Sequence, residues 1–237
     1  MEPARQPLTT IFAKCPLPGQ VKTRLCPPLG PDQAASLALA MLDDTVRREL
    51  AAEGIATELA VAPASSVGWF RRRFGDLIPV SAQEGAGLGE RMAAWFEARC
   101  PGRASVVIVG SDCPLMGGRA ALEAHAWLAR GAEVVFAPDG GGGYSLVGLA
   151  RPVSELFTEV PMSTDSMLDE TLELATSRGL TVRLLDEHRD VDNGEDLLRL
   201  DRELRQLTMS TDERTRADFP AQTFDWLCRE YRGDHEL

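Results

Sequence analysis

Three stretches of this sequence carry residue types whose spacing could do chemistry. The first is Lys14-Cys15-Pro16-Leu17-Pro18-Gly19-Gln20-Val21-Lys22-Thr23-Arg24-Leu25, in which Lys14, Lys22 and Arg24 place three cations within eleven residues. Two prolines stiffen the segment and Gly19 frees the backbone to turn. Such a loop can hold an anion, a polyphosphate above all, with the forked Arg24 and the N-terminus of a following helix assisting. It is not a P-loop, because Val21 stands where that motif has Gly directly before Lys. The alternative is a solvated basic loop.

The second stretch is Val109-Gly110-Ser111-Asp112-Cys113-Pro114, a carboxylate directly after an apolar run. A charge near a core is costly unless it is paired or metal-bound. Beside a polyphosphate its partner is Mg²⁺, which takes one or two protein carboxylates and fills its other positions with phosphate and water. The alternative is an N-cap for the next helix. The third stretch is Asp190-Val191-Asp192-Asn193-Gly194. Either aspartate could complete a metal site with Asp112, Asp192 being the expected one; an Asx turn with a helix cap is the compatible alternative.

Two glycine-rich segments are weaker signals. Glu84-Gly85-Ala86-Gly87-Leu88-Gly89-Glu90-Arg91 is not the dinucleotide fingerprint, since Glu90 takes the place of the third Gly. Asp139-Gly140-Gly141-Gly142-Gly143-Tyr144 either lets a flat or sugar-like ligand approach the backbone or forms a loose hairpin turn. His125, His188 and His235 lack metal spacing, and the five cysteines show no C-x-x-C pair, so surface or satisfied histidines and reduced thiols are expected.

These residues need a scaffold, and the pattern around them describes one. Apolar runs at Leu8–Ala13, Ala56–Ala62, Ile78–Ala82, Ser105–Val109, Glu133–Ala137, Tyr144–Leu149 and Thr181–Leu185 read as strands. Between them lie helical segments at Pro31–Leu50, Ser66–Phe74, Leu88–Ala98, Ala120–Arg130 and Gly194–Leu207, and one capped by Ser163 or Thr164 that ends at Gly179. The Arg71-Arg72-Arg73 run reads as a solvated face. Alternation of this kind implies an α/β fold, a three-layer α/β/α sandwich around a mostly parallel mixed sheet. Ligands of such sheets bind beyond the carboxyl ends of the strands, where all three stretches fall. Residues 1–207 read as one domain, and residues 208–237 as a C-terminal helical extension that packs back through Phe224, Trp226 and Leu227.

Composition narrows the function. The 237 residues carry 25 basic and 36 acidic side chains, a formal charge of −11, which excludes general nucleic-acid binding. Of those basic residues only Lys14 and Lys22 are lysines, so the compact ammonium groups are kept for one loop. No run approaches the ~18 apolar residues of a spanning helix, and the first residues lack a signal-peptide pattern. No membrane partner and a cytoplasmic location are the expectations.

Taken in order, the run KCPLPGQVKTRL, Leu88-Gly89-Glu90-Arg91-Met92, Gly110-Ser111-Asp112-Cys113-Pro114, Gly142-Gly143-Tyr144-Ser145-Leu146-Val147-Gly148-Leu149, Ser163-Thr164-Asp165 and Asp190-Val191-Asp192 resemble the glycosyltransferase-A-like radical-SAM/selenodomain-associated transferase 1 family, also called the arsenosugar biosynthesis glycosyltransferase family. More distantly the chain is similar to 2-phospholactate guanylyltransferase and the molybdenum-cofactor nucleotidyltransferases. The resemblance spans about residues 8–200 and implies a nucleotide-diphospho-sugar transferase fold using Mg²⁺ or Mn²⁺. It implies nucleotide phosphates on Lys14, Gly19, Lys22 and Arg24, a base near Gly87, Leu88 and Gly89, and metal on Asp112 and Asp192. Two positions depart from the family pattern: Gly141 stands where Asp usually precedes Gly-Gly-Tyr, and Met162 where Trp often precedes Ser-Thr-Asp.

The expected activity is metal-dependent transfer of a sugar from a nucleotide-diphosphate donor to a small acceptor. Mg²⁺ on Asp112 and Asp192 would neutralise the departing diphosphate, with Lys14, Lys22 and Arg24 sharing that charge, and Asp165 or Asp139 would take the acceptor proton. The alternative is a nucleotidyltransferase, in which a small phosphate or phosphonate attacks a nucleoside triphosphate and pyrophosphate leaves. A third expectation, from another class, is a nucleotide-binding protein without turnover. Base, sugar, acceptor and oligomeric state are not written in the sequence.

Overall fold

A computed structural model of the chain describes residues 6–209 and 218–231. Alternation of strand and helix runs through β1 (Leu8–Lys14), α1 (Pro31–Leu50), β2 (Ala56–Ala62), α2 (Val67–Phe74), β3 (Val80–Ala82), α3 (Leu88–Arg99), β4 (Val106–Gly110) and α4 (Arg119–Ala129). Then follow β5 (Val134–Pro138), β6 (Tyr144–Leu149), α5 (Glu155–Thr158), α6 (Met167–Ser177), β7 (Val182–Leu184), α7 (Gly194–Thr208) and α8 (Ala221–Trp226). The strands form one sheet in the order β3-β2-β1-β4-β6-β5-β7. Only β6 runs against its neighbours, pairing antiparallel with both β4 and β5. This is the three-layer α/β fold with a mostly parallel mixed sheet.

Alternate side chains of the strands feed opposite faces, which is why the sheet is covered twice. Ile11, Val107 and Val109 pack with Leu42 and Val46 of α1, Phe70 and Phe74 of α2, and Ala124 and Leu128 of α4. Leu8, Val106 and Ile108 pack with Met92 and Phe96 of α3, Phe157 of α5, and Leu168 and Ala175 of α6. The ring of Phe96 stacks on that of Phe157 at 5.3 Å, and each fully buried ring contributes about 1.5–3 kcal/mol.

A third apolar cluster lies on the outer side of α1. Leu37 and Met41 meet Leu200 and Leu204 of α7 and Phe224, Trp226 and Leu227 near the end of the described chain. The Asp44 carboxylate accepts the N–H groups of Gln222 and Thr223 at 3.0 and 2.8 Å, supplying partners that the start of α8 lacks. Of the extension expected over residues 208–237, residues 210–217 and 232–237 lie outside the described residues.

Two local expectations need correction. Neither Ser163 nor Thr164 caps α6, which begins at Met167 after Ser166. Ser163 is turned into the left-handed region (φ 63°), while the Leu168 N–H is satisfied by the Gly142 carbonyl at 2.7 Å. A partner from another loop has replaced the local cap. Gly140 to Gly143 are likewise not a loose turn. Asp139 Oδ1 accepts from the N–H of Gly141 at 2.7 Å and of Gly143 at 2.9 Å, and a Cβ on Gly142 (φ 90°) would run into the Asp165 carbonyl.

Candidate functional site

The carboxyl ends of β1, β4 and β5 open into a cleft of about 830 Å³. Its floor is built by three loops. After β1, Gly19 (φ 72°) turns the chain back, and Lys22 follows in the left-handed region at φ 49°. Non-glycine residues there are uncommon and concentrate at functional sites; among the described residues the other is Ser163, and both line this cleft. After β4 the chain delivers Asp112. The Asp112 side chain is not the N-cap of α4, whose cap position is Gly118.

The loop after β7 crosses the ends of two strands to reach Asp112. Its path is held by backbone bonds: Leu185 N–H to the Phe136 carbonyl, His188 N–H to that of Pro138, and Val191 N–H to that of Asp112 at 3.1 Å. Asn193 then caps α7 by accepting from the N–H groups of Glu195 and Asp196, while Asp196 answers to the N–H of Asn193. The cap and the acidic loop are therefore one device, which leaves Asp190 and Asp192 facing Asp112. One ligand oxygen from each of the three lies within 4.8 Å of the others.

Lys22 occupies the middle of this group. Its ammonium donates to Asp112 Oδ2 at 2.8 Å and to Asp192 Oδ1 at 2.7 Å, and its side chain is 11% exposed. Burial alone would lower the Lys22 pKa, but the two carboxylates outweigh burial and raise it. Burial likewise opposes the charge of Asp112, yet the Lys22 ammonium holds that carboxyl below its usual range. Among the described residues no ion pair engages the Asp190 carboxylate. Burial first, then the charges of Asp112 and Asp192, push it up to about 7.

Three oxygen donors so placed suit a hard divalent ion, Mg²⁺ or Mn²⁺. A buried ammonium at the same spot shows that the local field favours a cation. Asp112, Asp190 and Asp192 are the residues that could hold it.

The other residues singled out in the sequence divide into two sets. Lys14, Arg24, Leu88 and Asp165 line the cleft with Lys22, Asp112 and Asp192. Arg24 is largely exposed, with one guanidinium nitrogen 3.9 Å from Asp192. Gly19, Gly87 and Gly89 are not on the lining. Gly87 takes the cap position of α3, and a Cβ on Gly89 would run into the Phe157 carbonyl, so this glycine serves the approach of α3 to α5.

Sequence reasoning passed over Gln83. This buried side chain at the exit of β3 donates to the Ala60 carbonyl at 2.9 Å and accepts from Arg91 at 3.3 Å on the cleft wall. The strand-exit rule applied to β3 would have found it. Tyr144 also lines the cleft, and its buried hydroxyl has no hydrogen-bond partner among the described residues. His125 is satisfied, held between Thr9 and Ser105 hydroxyls at 3.0 and 2.8 Å. Cys15, Cys26, Cys100 and Cys113 carry free thiols, and burial pushes Cys100 up to about 12. Among the described residues no helix is long and apolar enough to cross a membrane.

Solved structures share this architecture. A candidate nucleotide-diphospho-sugar transferase from Desulfovibrio desulfuricans G20 is 29% identical, with a TM-score of 0.80 over 95% of this chain and 97% of that one. A 4-diphosphocytidyl-2C-methyl-D-erythritol synthase from Anaerococcus prevotii DSM 20548 is 12% identical, with a TM-score of 0.56 over 85% and 97%. A CMP:2-keto-3-deoxy-manno-octonic acid synthetase complexed with CTP is 11% identical, with a TM-score of 0.54 over 85% and 99%. The latter two share the fold; by name the first is a transferase, the second a synthase and the third a synthetase. No curated protein matches the sequence. A family model matches residues 45–164, and the chain belongs to that family, described as an uncharacterized protein conserved in bacteria (DUF2064).

Proposed function

We propose that the cleft is the active site of a metal-dependent transferase that moves a sugar from a nucleotide-diphosphate donor to a small acceptor. The observation that carries this reading is the convergence of Asp112, Asp190 and Asp192 within 4.8 Å, beside the cationic loop after β1. The similarity to the Desulfovibrio protein over nearly the whole chain supports it, as does the motif resemblance to the selenodomain-associated transferase 1 family.

Lys14 and Arg24 face the cleft from the loop after β1 and would share the charge of the diphosphate. Asp112, Asp190 and Asp192 would hold Mg²⁺ or Mn²⁺, which when bound supplies positive charge to the leaving diphosphate. Leu88 offers an exposed apolar surface for the base. Among the described residues no hydrogen bond or ion pair engages the Asp165 carboxylate, which lines the cleft. Asp139 is occupied with the Gly141 and Gly143 N–H groups. Asp165 is therefore the base for the acceptor hydroxyl: it takes the proton as the oxygen attacks the anomeric carbon and the bond to the diphosphate breaks.

A second reading, nucleotidyl transfer, is favoured by the density of cations in the first loop, which suits a triphosphate. There a substrate phosphate oxygen would attack the α-phosphorus and pyrophosphate would leave. A thermal-shift panel with Mg²⁺, nucleoside triphosphates, nucleoside diphosphates and nucleotide sugars tests both, since a ligand at 100 times its Kd stabilises by about 2.7 kcal/mol. Selective stabilisation by one nucleotide sugar is the expected result. A shift with one triphosphate alone would transfer the assignment to the nucleotidyltransferase, and no shift with any of them would remove the nucleotide reading.

A further inference from the structure

Lys22 is placed where neither a phosphate-binding lysine nor a metal site ought to have it. Its ammonium lies between Asp112 and Asp192 and is bonded to both, so in this state its charge is taken up by carboxylates rather than offered to an incoming phosphate. It also stands between the carboxylates that a divalent ion would need. An ammonium and a divalent ion repel each other at contact distance, and low-dielectric surroundings strengthen that repulsion. A divalent ion at the two oxygens that hold the ammonium, Asp112 Oδ2 and Asp192 Oδ1, would have to displace it.

We infer that Lys22 is a built-in stand-in cation: it fills the metal position until a divalent ion displaces it, and the released ammonium then turns to the phosphates of the substrate. The inference rests on the reading of this cleft as a metal and polyphosphate site, and adds how its parts are coupled. Lys22 sits at the start of a short turn, Thr23–Leu25, on the loop that also carries Lys14 and Arg24, so the freed side chain stays among the phosphate-binding groups. While it remains bound, Lys22 offsets the mutual repulsion of the aspartates. Once released, its charge counts toward the polyphosphate. Metal and polyphosphate would thus assist each other's binding through one side chain, as linkage requires of any such coupling. Lys14 shares the loop but makes no ion pair with these aspartates among the described residues, and serves as the internal control.

The first arm of the test is Mn²⁺ binding to the full chain without nucleotide, followed by the electron paramagnetic resonance of free Mn²⁺. The proteins are wild type, Lys22→Met, Lys22→Gln, Lys14→Met and the Asp112→Asn change in the wild-type and Lys22→Met backgrounds. Removal of Lys22 by either substitution is expected to tighten Mn²⁺ at least tenfold, and removal of Lys14 to change it less than threefold. A lysine with only a structural role would give weaker binding when removed. Equal or weaker Mn²⁺ binding by both Lys22 variants, with Asp112→Asn still abolishing it, overturns the stand-in role alone. Binding that survives Asp112→Asn in both backgrounds, or no saturable binding to the Lys22 variants, overturns the metal site itself. The second arm is calorimetry with inorganic tripolyphosphate. Lys22→Met should match wild type within twofold in EDTA and bind at least tenfold more weakly in excess Mg²⁺. An equal loss in both media overturns the release of Lys22, and no binding to wild type in either overturns the polyphosphate reading.

Discussion

The N–H of Val191 donates to the carbonyl oxygen of Asp112 at 3.1 Å, tying the acidic loop after the edge strand β7 to the exit of the central strand β4. Two strands, β5 and β6, lie between them in the sheet. The side chain of Val191 is buried in the cluster around α1 and α7, so the loop is fixed from below as well as along its backbone. Without that bridge, Asp190 and Asp192 would be surface carboxylates at the edge of the protein.

The carboxylate at the centre of that arrangement should be needed for chemistry and not for folding. Asp112→Asn is expected to lower metal-dependent turnover by about 10²–10³-fold, the scale of one lost group that stabilises transition-state charge. Its melting temperature should stay near that of wild type, because Lys22 keeps its bond to Asp192. Steady-state rates and a thermal melt on the same preparation check this, and full activity in the variant would refute the site.

Gly89 should behave in the opposite way. A Cβ there meets the Phe157 carbonyl, so Gly89→Ala must push α3 from α5 and loosen the Phe96–Phe157 stack. A loss of about 1–3 kcal/mol is expected from overpacking of this kind. Urea denaturation measures it. Nucleotide affinity of the folded fraction should change little, and an affinity loss without a stability loss would return Gly89 to the ligand.

His125 makes stability depend on pH in a definite direction. Burial lowers its pKa from 6.5 to about 4, so between those values the unfolded chain takes up a proton that the folded chain refuses. Stability from this residue is present above pH 6.5 and is lost as pH falls toward 4, by up to about 3 kcal/mol. In denaturant titrations across that window His125→Gln should show a shallower decline than wild type. Parallel curves would mean that the ring is protonated within the fold.

The Asp44 carboxylate holds the N–H groups that begin α8, and Arg47 of the same helix reaches the Phe219 carbonyl. We expect Asp44→Ala to cost about 1–2 kcal/mol, the worth of a lost helix cap. It should release the last described helix first. Limited proteolysis would then cut near residues 218–231 before the sheet is attacked, whereas uniform degradation would contradict this order.

Several elements were written locally in the sequence. α1 from Pro31 to Leu50, β2 from Ala56 to Ala62 and β6 from Tyr144 to Leu149 coincide with the limits read from periodicity and punctuation, because Pro, Gly and the apolar period act within a few residues. The class of fold followed from the alternation, and the position of Asp112 and Asp192 at strand exits from the rule that α/β sheets bind ligands there. What depended on the path of the chain in space was not legible. That Asp190 joins the other two aspartates, that Lys22 is buried between carboxylates, that Gly89 answers to Phe157 and that Gly142 replaces a cap for α6 are all decided by contacts between segments far apart in sequence. Spacing constrains which residues lie at the ends of strands. Only the order of the strands and the packing of the loops across them decide which of those residues meet, because hydrogen bonds and ion pairs act over a few ångströms of space and not along the chain.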